Sequence, residues 1–408
     1  MAYMQKATQQ QTKSYNSRLV LKTIYDQGRI SRAEVARLTD LTRTTVSDIV
    51  VELQEKGLVE EVGYGQSIGG RSPILLSVVD DARHLISVDL ANDEFRGAVV
   101  NLRNEVVITS SVPVQGRGGG EALALVYELI DGLISNAGKP ILGIGIGTPG
   151  LVDTTNGVVV RAVNLDWRDL PLGNLLNERY DLPVYVANDS QLAALAQYMF
   201  GGKEYGGNMI VIKIGHGVGA GIVLDGHLFQ GDGFGAGEIG HITALENGPQ
   251  CRCGNFGCLE TVVSNPAINR RARTLALSDT KSLLNTPADP SHEISVDDIA
   301  RAFQVGDVVA RQVVLETGRY LGVALANLVG TLNIRRVVLM GDIARFSTPL
   351  LEVIRQEMLR RALPTLAQDT QIELAELHPD AVILGASALL LTHELGLSLA
   401  RQYGALVR

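Results

Sequence analysis

The sequence predicts an α/β protein, in which a small N-terminal winged helix-turn-helix precedes a larger domain of two α/β lobes. Three observations predict this fold class. The chain has 408 residues, too many for one small domain. Basic residues concentrate at its start, where residues 1–50 hold eight Lys or Arg and four Asp or Glu, although the net charge of the chain is −8. After residue 80, two groups of strands are each followed by helices, the pattern of packed α/β layers.

The composition excludes several classes of protein. Apolar residues make up 46% of the chain and charged residues 20%, which is typical of a globular protein. The polar first residues lack the apolar core of a signal peptide, and the uncharged run 320–334 is too short to span a membrane. All three cysteines lie within residues 251–258, which argues against a disulfide framework. We therefore expect a cytoplasmic protein with no membrane insertion.

The N-terminal module, residues 14–80, carries the start and stop signals of three short helices. Apolar side chains at helical spacing indicate a first helix that ends at Gly28. Ser31 and Glu34 have the spacing of a capping box for a second helix, and Thr42 can cap a third. The inward face of this third helix is apolar at positions i, i+3, i+4 and i+7, namely Val46, Ile49, Val50 and Leu53.

Two strands complete this module. Residues 58–62 and 74–78 are expected to pair around a glycine-rich tip, residues 63–73. Three helices followed by such a hairpin make a winged helix-turn-helix. Residues 1–13, rich in Gln and Thr, are expected to form a disordered tail.

The predicted DNA-binding residues lie at two places in this module. One set opens the third helix on or near its polar side, the end that enters a major groove: Arg43, Thr44, Thr45 and Ser47. In the tip, glycines let the backbone come close to DNA, so Arg71 can reach along or into a minor groove. The basic bias favours operator DNA as the partner. The alternatives are a protein-interaction module and, for Arg43, a solvated surface arginine.

The remainder of the chain predicts two lobes of similar element order. We expect the first lobe over residues 81–200, completed by a closing helix at 381–396, and the second over residues 201–380. The expected strands are 84–90, 97–101, 106–112, 141–147 and 183–187 in the first lobe, and 209–214, 220–224 and 336–341 in the second. Two βββαβ-type halves predict an actin-like (ribonuclease H-like) ATPase-type fold with a cleft between the lobes.

The most specific motif contains every cysteine of the chain. Cys251, Cys253 and Cys258 follow His241 by ten residues or more, and glycines between them allow tight turns. Three thiolates and one imidazole can complete a closed tetrahedral shell, which is typical of structural Zn²⁺. The alternative is three buried free cysteines.

These residues carry a family resemblance. The stretch Gly-Glu-Ile-Gly-His at 237–241, followed by Cys-x-Cys-Gly-x-x-Gly-Cys-Leu-Glu at 251–260, resembles the ROK family of repressors, open reading frames and sugar kinases. The similarity runs from about residue 84 to residue 396. It implies zinc ligation by the histidine and the three cysteines, and the added winged helix matches the layout of ROK repressors.

The resemblance also implies a sugar site. Asn188 and Asp189 follow a predicted strand, where the family's Asn and Asp bind sugar hydroxyls and the Asp is the general base. From the residues alone, a plain helix N-cap is the alternative. The family match adds Glu238, His241 and Glu260, with His241 shared between metal and sugar through its two nitrogens. The loop 147–150 is expected to line the same pocket.

The phosphate-binding turns of the ROK kinases are altered here. The family's Asp-x-Gly-Gly-Thr turn reads Asp-Leu-Ala-Asn-Asp, so that Ala91 and Asn92 replace both glycines and Asp93 adds a negative charge. The second turn keeps its glycines, but His216 replaces a hydroxyl residue. A third pair, Gly-Gly in kinases, reads Gly341-Asp342. We therefore expect no kinase activity, and Asp189 would be a vestigial base.

The function predicted from the sequence is a transcriptional repressor of carbohydrate-utilisation genes, acting as a homodimer or higher homo-oligomer. A monosaccharide inducer in the kinase-derived cleft would release it from its operator. Glucose, N-acetylglucosamine and xylose all fit the resemblance. An active ROK sugar kinase, which phosphorylates a hexose with ATP, is the alternative, and regulation by a partner protein is a third hypothesis.

Overall fold

The N-terminal part of the chain is the winged helix-turn-helix that the sequence predicts. The computed structural model describes residues 8–66, 72–201, 206–285, 293–375 and 380–397. Three helices pack on a three-stranded sheet of order β1-β3-β2. The elements are α1 (Gln9–Gln27), β1 (Ile30–Ser31), α2 (Arg32–Thr39), α3 (Arg43–Glu55), β2 (Val59–Tyr64) and β3 (Ile74–Val78).

Local hydrogen bonds fix the starts of these helices. Ser31 and Glu34 form the predicted capping box, and the Thr42 hydroxyl accepts a hydrogen bond from the Thr45 amide. The first helix, however, begins at Gln9, because Thr8 and Gln11 form a further capping box. The prediction of a disordered tail is therefore wrong for residues 9–13, while residues 1–7 lie outside the described residues.

The first lobe is built on a five-stranded sheet of order β11-β7-β4-β5-β6. The strands β4, β5 and β6 are antiparallel neighbours, whereas β7 and β11 extend the sheet in parallel. The elements of this lobe are β4 (His84–Leu90), β5 (Glu94–Asn101), β6 (Val106–Pro113), α4 (Gly119–Asn136), β7 (Ile141–Thr148), β8 (Leu151–Asp153), β9 (Val158–Ala162), β10 (Trp167–Leu170), α5 (Leu172–Tyr180), β11 (Val184–Asn188) and α6 (Asp189–Phe200).

The second lobe repeats this topology with the order β14-β13-β12-β15-β16. Again three strands are antiparallel and two are parallel to the central one. The elements are β12 (Met209–Ile214), β13 (Val218–Leu224), β14 (His227–Phe229), α7 (Glu260–Val263), α8 (Asn265–Ala276), α9 (Val296–Gln304), α10 (Val308–Leu332), β15 (Arg336–Gly341), α11 (Ser347–Arg361), α12 (Pro364–Ala367) and β16 (Gln371–Leu374). The helix that follows, α13 (Ala381–Leu395), packs on β7 and α6 of the first lobe. The repeated order confirms the predicted actin-like, two-lobed fold.

A small side sheet, β10-β9-β8, is absent from the sequence prediction. Its strands have three to five residues, too short for a clear alternation of apolar and polar positions. Among the described residues, none of the helices combines the length and apolar character needed to cross a membrane.

Helix α13 lies against a strand face that has no side chains. Along β7, the isoleucines at 144 and 146 face the core of the first lobe, and the alternate positions are glycine. A Cβ atom at Gly143, Gly145 or Gly147 would lie within 2.8 Å of Leu390, Ala386 or Val382, respectively. The glycines therefore let α13 approach β7 closely, which any larger side chain would prevent.

The winged helix shares its hydrophobic core with the first lobe. One buried cluster contains side chains of α1, α3 and β3 together with four leucines from elsewhere in the chain. These are Leu85 of β4, Leu390 and Leu391 of α13, and Leu397, which follows α13. Arg103 strengthens this junction, because its guanidinium donates to the Tyr25 carbonyl at 2.8 Å and lies 4.6 Å from the centre of the Tyr25 ring. The winged helix and the first lobe thus form one packed unit.

Candidate functional site

The candidate site lies where the carboxyl ends of strands from both lobes meet. Strand β4 ends just after Asp89, β11 ends at Asn188, and β12 ends just after Lys213. In α/β sheets, ligands bind in the crevice outside these carboxyl ends. The sequence therefore brings polar residues of both lobes to the place where this fold binds ligands.

Asn188 is the N-cap of α6. Its Oδ1 accepts hydrogen bonds from the amides of Ser190 and Gln191, and its Nδ2 donates to the Gly150 carbonyl at 2.8 Å. The N-cap interpretation is therefore correct for Asn188. Its side chain also ties the loop 147–150 to the start of α6, next to Asp189.

Asp189, the first residue of α6, pairs with a residue that sequence reasoning missed. Its Oδ2 lies 2.6 Å from Nζ of Lys213, which comes from the central strand of the second lobe. Its Oδ1 accepts a hydrogen bond from the Ser190 amide at 2.8 Å. The nearby carboxylates Asp189 and Asp89 outweigh the effect of burial and raise the pKa of Lys213, so its ammonium stays charged.

Asp89 is a second carboxylate at the base of the cleft. Only 7% of its surface is exposed, and its Oδ1 has no hydrogen-bond partner among the described residues. Burial raises the pKa of Asp89 to about 6, whereas the charge of Lys213 lowers it. Because burying an unpaired carboxylate is costly, the Lys213 ammonium is important for keeping Asp89 ionised.

Glu238, His241 and Glu260 form the wall of the second lobe. The carboxylate of Glu238 lies 3.7 Å from Nε2 of His241. Burial raises the pKa of Glu238, and the charges of Asp189 and Glu260 raise it further. These residues are thus close enough to interact electrostatically across the cleft. Glu260 is held in place because its Oε2 accepts the amide hydrogen of Val218.

The other nitrogen of His241 faces the cysteines. Its Nδ1 lies 3.6 Å from Sγ of Cys251, and Sγ of Cys253 lies 3.7 Å from Sγ of Cys258. All four candidate ligand atoms are within 4.8 Å of one another. A tetrahedral zinc shell with bonds of about 2.3 Å has edges of about 3.8 Å, so this cluster has the donor set and size of a zinc site.

The turns after β4 and β12, which the resemblance matches to the phosphate turns of ROK kinases, face each other across the mouth of the cleft. Asp93, after β4, forms an ion pair with His216 in the β12–β13 turn, with 2.7 Å between Oδ2 and Nε2. If the resemblance places the phosphate turns correctly, a carboxylate would stand where a nucleotide phosphate needs donors. In the second lobe, the side chain of Asp342 accepts a hydrogen bond from the side-chain amide of Asn265 at 2.6 Å.

Four of the candidate DNA-binding residues, at positions 43–47, lie in α3 of the winged helix. Arg43 and Thr44 are exposed at the start of α3, and the guanidinium of Arg43 has no hydrogen bond or ion pair among the described residues. Thr45 and Ser47 are half-buried, and the Ser47 hydroxyl donates to the Arg43 carbonyl. Arg71 lies outside the described residues.

Comparison with known proteins agrees with this architecture. A model of the ROK family matches residues 85–393, and a model described as winged helix-turn-helix DNA-binding matches residues 13–60. The chain is 34% identical to the xylose repressor of Caldicellulosiruptor bescii, covering 93% of this chain and 96% of the relative. It is also 34% identical to a glucokinase of Halalkalibacterium halodurans, which covers 76% of this chain and 96% of that enzyme.

Among solved structures, the chain resembles a ROK family transcriptional regulator described as a homologue of the Escherichia coli MLC protein. The TM-score is 0.83 at 32% identity, covering 95% of this chain and 98% of the regulator. The match therefore extends over the winged helix and both lobes. The family model, the sequence relatives and the solved structure all indicate the same family. The chain belongs to the ROK family.

Proposed function

We propose that this protein is a DNA-binding repressor of carbohydrate-utilisation genes, which leaves its operator when a monosaccharide binds between the lobes. One observation carries the proposal: the first lobe lines a cleft with polar side chains and also shares a hydrophobic core with the winged helix. The names of the relatives, among them xylose repressors and an N-acetylglucosamine repressor, support this function. Such a regulator would act in the cytoplasm, where it reaches DNA.

The set proposed to bind the sugar is Asn188, Asp189, Glu238, His241 and Glu260. Carboxylates and amides of this kind can accept and donate hydrogen bonds to a ring of hydroxyls. A site built for hydroxyls rejects a sugar that lacks one, because buried polar atoms would then stay unpaired. D-Xylose, D-glucose and N-acetyl-D-glucosamine are the first inducers to test.

We also infer that His241, Cys251, Cys253 and Cys258 hold one structural Zn²⁺. The distances between their ligand atoms fit a tetrahedral shell, and no position in that shell is left for a reactant. The metal would fix the loop that presents Glu238 and Glu260, since Nδ1 of His241 faces the cysteines and Nε2 faces Glu238.

The second candidate function is a ROK sugar kinase, which the similarity to a glucokinase favours. Two contacts argue against it. Lys213 forms an ion pair with Asp189, the residue that would act as base, and Asp93 with His216 stands at the mouth of the phosphate site. We expect no sugar-dependent ATP hydrolysis in a coupled assay with the three sugars. Turnover near ~1 s⁻¹, the low end of typical enzyme rates, would establish the kinase instead.

The decisive experiment measures operator affinity with and without each sugar, for the wild type and for Asp189→Asn. We expect binding as a dimer to a two-fold-related operator, because one small module buries too little surface for high specificity. The inducing sugar should weaken wild-type binding by about 1–3 kcal/mol, a typical coupling free energy. The variant should bind the operator normally and lose this response. A variant that responds at the same sugar concentration would contradict the proposed site.

A further inference from the structure

Lys213 interrupts an otherwise apolar strand face. Met209 and Val211, the preceding residues on this face of β12, pack in a hydrophobic cluster with residues of α6 in the first lobe. Continuing the pattern would place an apolar side chain at 213. This position is Lys213 instead, and it lies where strand β12 reaches the cleft.

The neighbouring strand lets α6 approach this lysine. Lys213 is paired with Gly219 of β13, and a Cβ atom at Gly219 would lie 2.4 Å from the Ser190 hydroxyl. The bare backbone at 219 therefore allows the first turn of α6 to lie directly against the sheet of the second lobe. Asp189, in that turn, reaches the Lys213 ammonium at 2.6 Å.

We propose that Lys213 is a positioning residue of the sugar site, which crosses between the lobes to hold the Asp189 carboxylate in place and to act as counter-ion for the buried Asp89. The inference rests on the proposed function in so far as Asp189 contacts a sugar. The counter-ion role does not depend on any ligand, because both carboxylates and the lysine belong to the protein itself.

The charges around these carboxylates define what the lysine does. Asp89 interacts with Lys213, Asp189, Arg96 and Asp380, and Arg96 is itself paired with Asp380 at 2.6 Å. Asp189 in turn acts on Glu238. Removing Lys213 would leave Asp89 and Asp189 as neighbouring like charges. Because the lysine lowers the pKa of Asp89, its removal would move that pKa further above about 6.

The direction of the pH effect follows from this shift. A carboxyl group with a raised pKa in the folded state binds more protons folded than unfolded, so stability falls as pH rises through its folded pKa. In the wild type, where the pKa of Asp89 is about 6, this decrease in stability is largely complete near neutral pH. In Lys213→Met it should continue to higher pH, between about pH 6 and 8.

The test uses the full chain with three variants. Lys213→Met removes the charge, Lys213→Arg keeps it, and Lys22→Met is the matched control, because Lys22 forms a 2.6 Å ion pair with Asp26 in the winged helix. Thermal unfolding and D-xylose affinity are measured at pH 6 and pH 8, with D-glucose and N-acetyl-D-glucosamine as further probes. The unfolding midpoint of Lys213→Met should fall from pH 6 to pH 8 by more than that of the wild type, Lys213→Arg or Lys22→Met.

For the sugar that binds the wild type, the affinity of Lys213→Met should fall about tenfold at pH 8 and recover partly at pH 6, where a proton replaces the lysine charge. Lys213→Arg should stay within about threefold of the wild type, since it keeps the charge. Equal unfolding profiles and equal affinities for Lys213→Met and the wild type would overturn the proposal. So would a Lys213→Arg variant as impaired as Lys213→Met, because shape rather than charge would then matter.

Two further outcomes are separable. If the wild type binds none of the three sugars, the proposed inducer set fails, while the unfolding profiles still decide the counter-ion role. If Lys213→Met does not fold, the double variant Lys213→Met/Asp89→Asn is made. The amide side chain introduced at position 89 is uncharged and needs no counter-ion. The double variant should then fold. A double variant as unstable as Lys213→Met would overturn the counter-ion role.

Discussion

Besides the apolar packing of α6 on the sheet of the second lobe, the first lobe makes two very different contacts with the rest of the molecule. Towards the winged helix it is apolar and buried, with Leu85, Leu390 and Leu391 completely inside a shared core. Across the mouth of the cleft it is polar and exposed: the side chains of His216 and Asp93 are 47% and 77% exposed. Each buried leucine contributes about 1.5–3 kcal/mol of hydrophobic stabilisation, whereas an exposed ion pair contributes about 0–1 kcal/mol.

This difference identifies the joint at which the molecule can move. The winged helix and the first lobe should move as one body, and the second lobe should move against them at the mouth. A sugar that contacts both walls would favour one degree of closure. In a dimer, such closure would change the spacing of the two winged helices, so sugar and operator binding would oppose each other.

The largest expected effect lies on the side of the second lobe. Cys251→Ala removes one of four candidate ligands, so we expect loss of the single zinc per chain, a clear decrease in stability and loss of the sugar response. Elemental analysis of protein purified without added metal, together with thermal unfolding, measures this. Phe256→Ala, a 59% exposed residue in the same loop, is the control and should keep its metal. A metal-free wild type of normal stability would contradict the structural role.

The next effect tests the junction. Leu390→Ala leaves a cavity in the core that the winged helix shares with α13, so the free energy of unfolding should fall by about 2–5 kcal/mol. Operator affinity should fall at temperatures where the wild type is folded. Leu277→Ala, whose side chain is 74% exposed, should change stability by no more than about 0.5 kcal/mol. If Leu390→Ala unfolds the winged helix while both lobes stay folded, the shared core is not one cooperative unit.

A smaller effect is expected at the DNA-reading face, away from both contacts. If Arg43 reads a guanine edge, Arg43→Ala should lower sequence discrimination by about 1–3 kcal/mol. Arg37→Ala, an exposed arginine on α2, is the matched control and should change affinity without changing the preferred operator. Arg71→Ala should also weaken binding, with less effect on operator choice. Affinities for operator DNA and for scrambled DNA measure both binding strength and sequence discrimination. Unchanged binding in Arg43→Ala and Arg71→Ala would mean that the DNA-binding face lies elsewhere.

The smallest effect is expected at the mouth. His216→Ala breaks the ion pair with Asp93, so stability should change by less than about 1 kcal/mol. The position of the lobes should change more than stability, because this contact lies at the moving joint. Small-angle scattering of the sugar-free protein compares the two forms. A loss of stability as large as that of Leu390→Ala would show that mouth and junction do not differ as the structure indicates.

Sequence reasoning succeeded where the information is local. The Ser31–Glu34 capping box, the Thr42 cap, the α3 stripe and the cysteine cluster depend on residues within a few positions of one another, so spacing alone predicts them. The similar element order of the two lobes was also predicted, because most strands carry their own apolar run, whereas the short strands β14 and β16 were missed. The start of α1 at Gln9 was missed, since its first turns are polar and contain no apolar stripe.

The partner of Asp189 could not be found in this way. Lys213 is 24 residues away and belongs to the other lobe, and one lysine within an apolar strand gives no sign of which carboxylate it meets. Only the register of β12 with β13, and the glycine opposite the lysine, bring α6 close enough for the ion pair. The dual role of Asn188 as cap and as anchor of Gly150 depends in the same way on tertiary contacts.

The fit of α13 against the glycine face of β7 also defines how this protein could be recombined. The three glycine positions and their partners Val382, Ala386 and Leu390 have complementary shapes, so that no larger residue fits at the glycine positions. The same helix supplies Leu390 and Leu391 to the core of the winged helix. A chimera that exchanges only residues before 80 would therefore meet a foreign docking surface. The natural unit of exchange is the winged helix together with α13, although the two are far apart in the sequence.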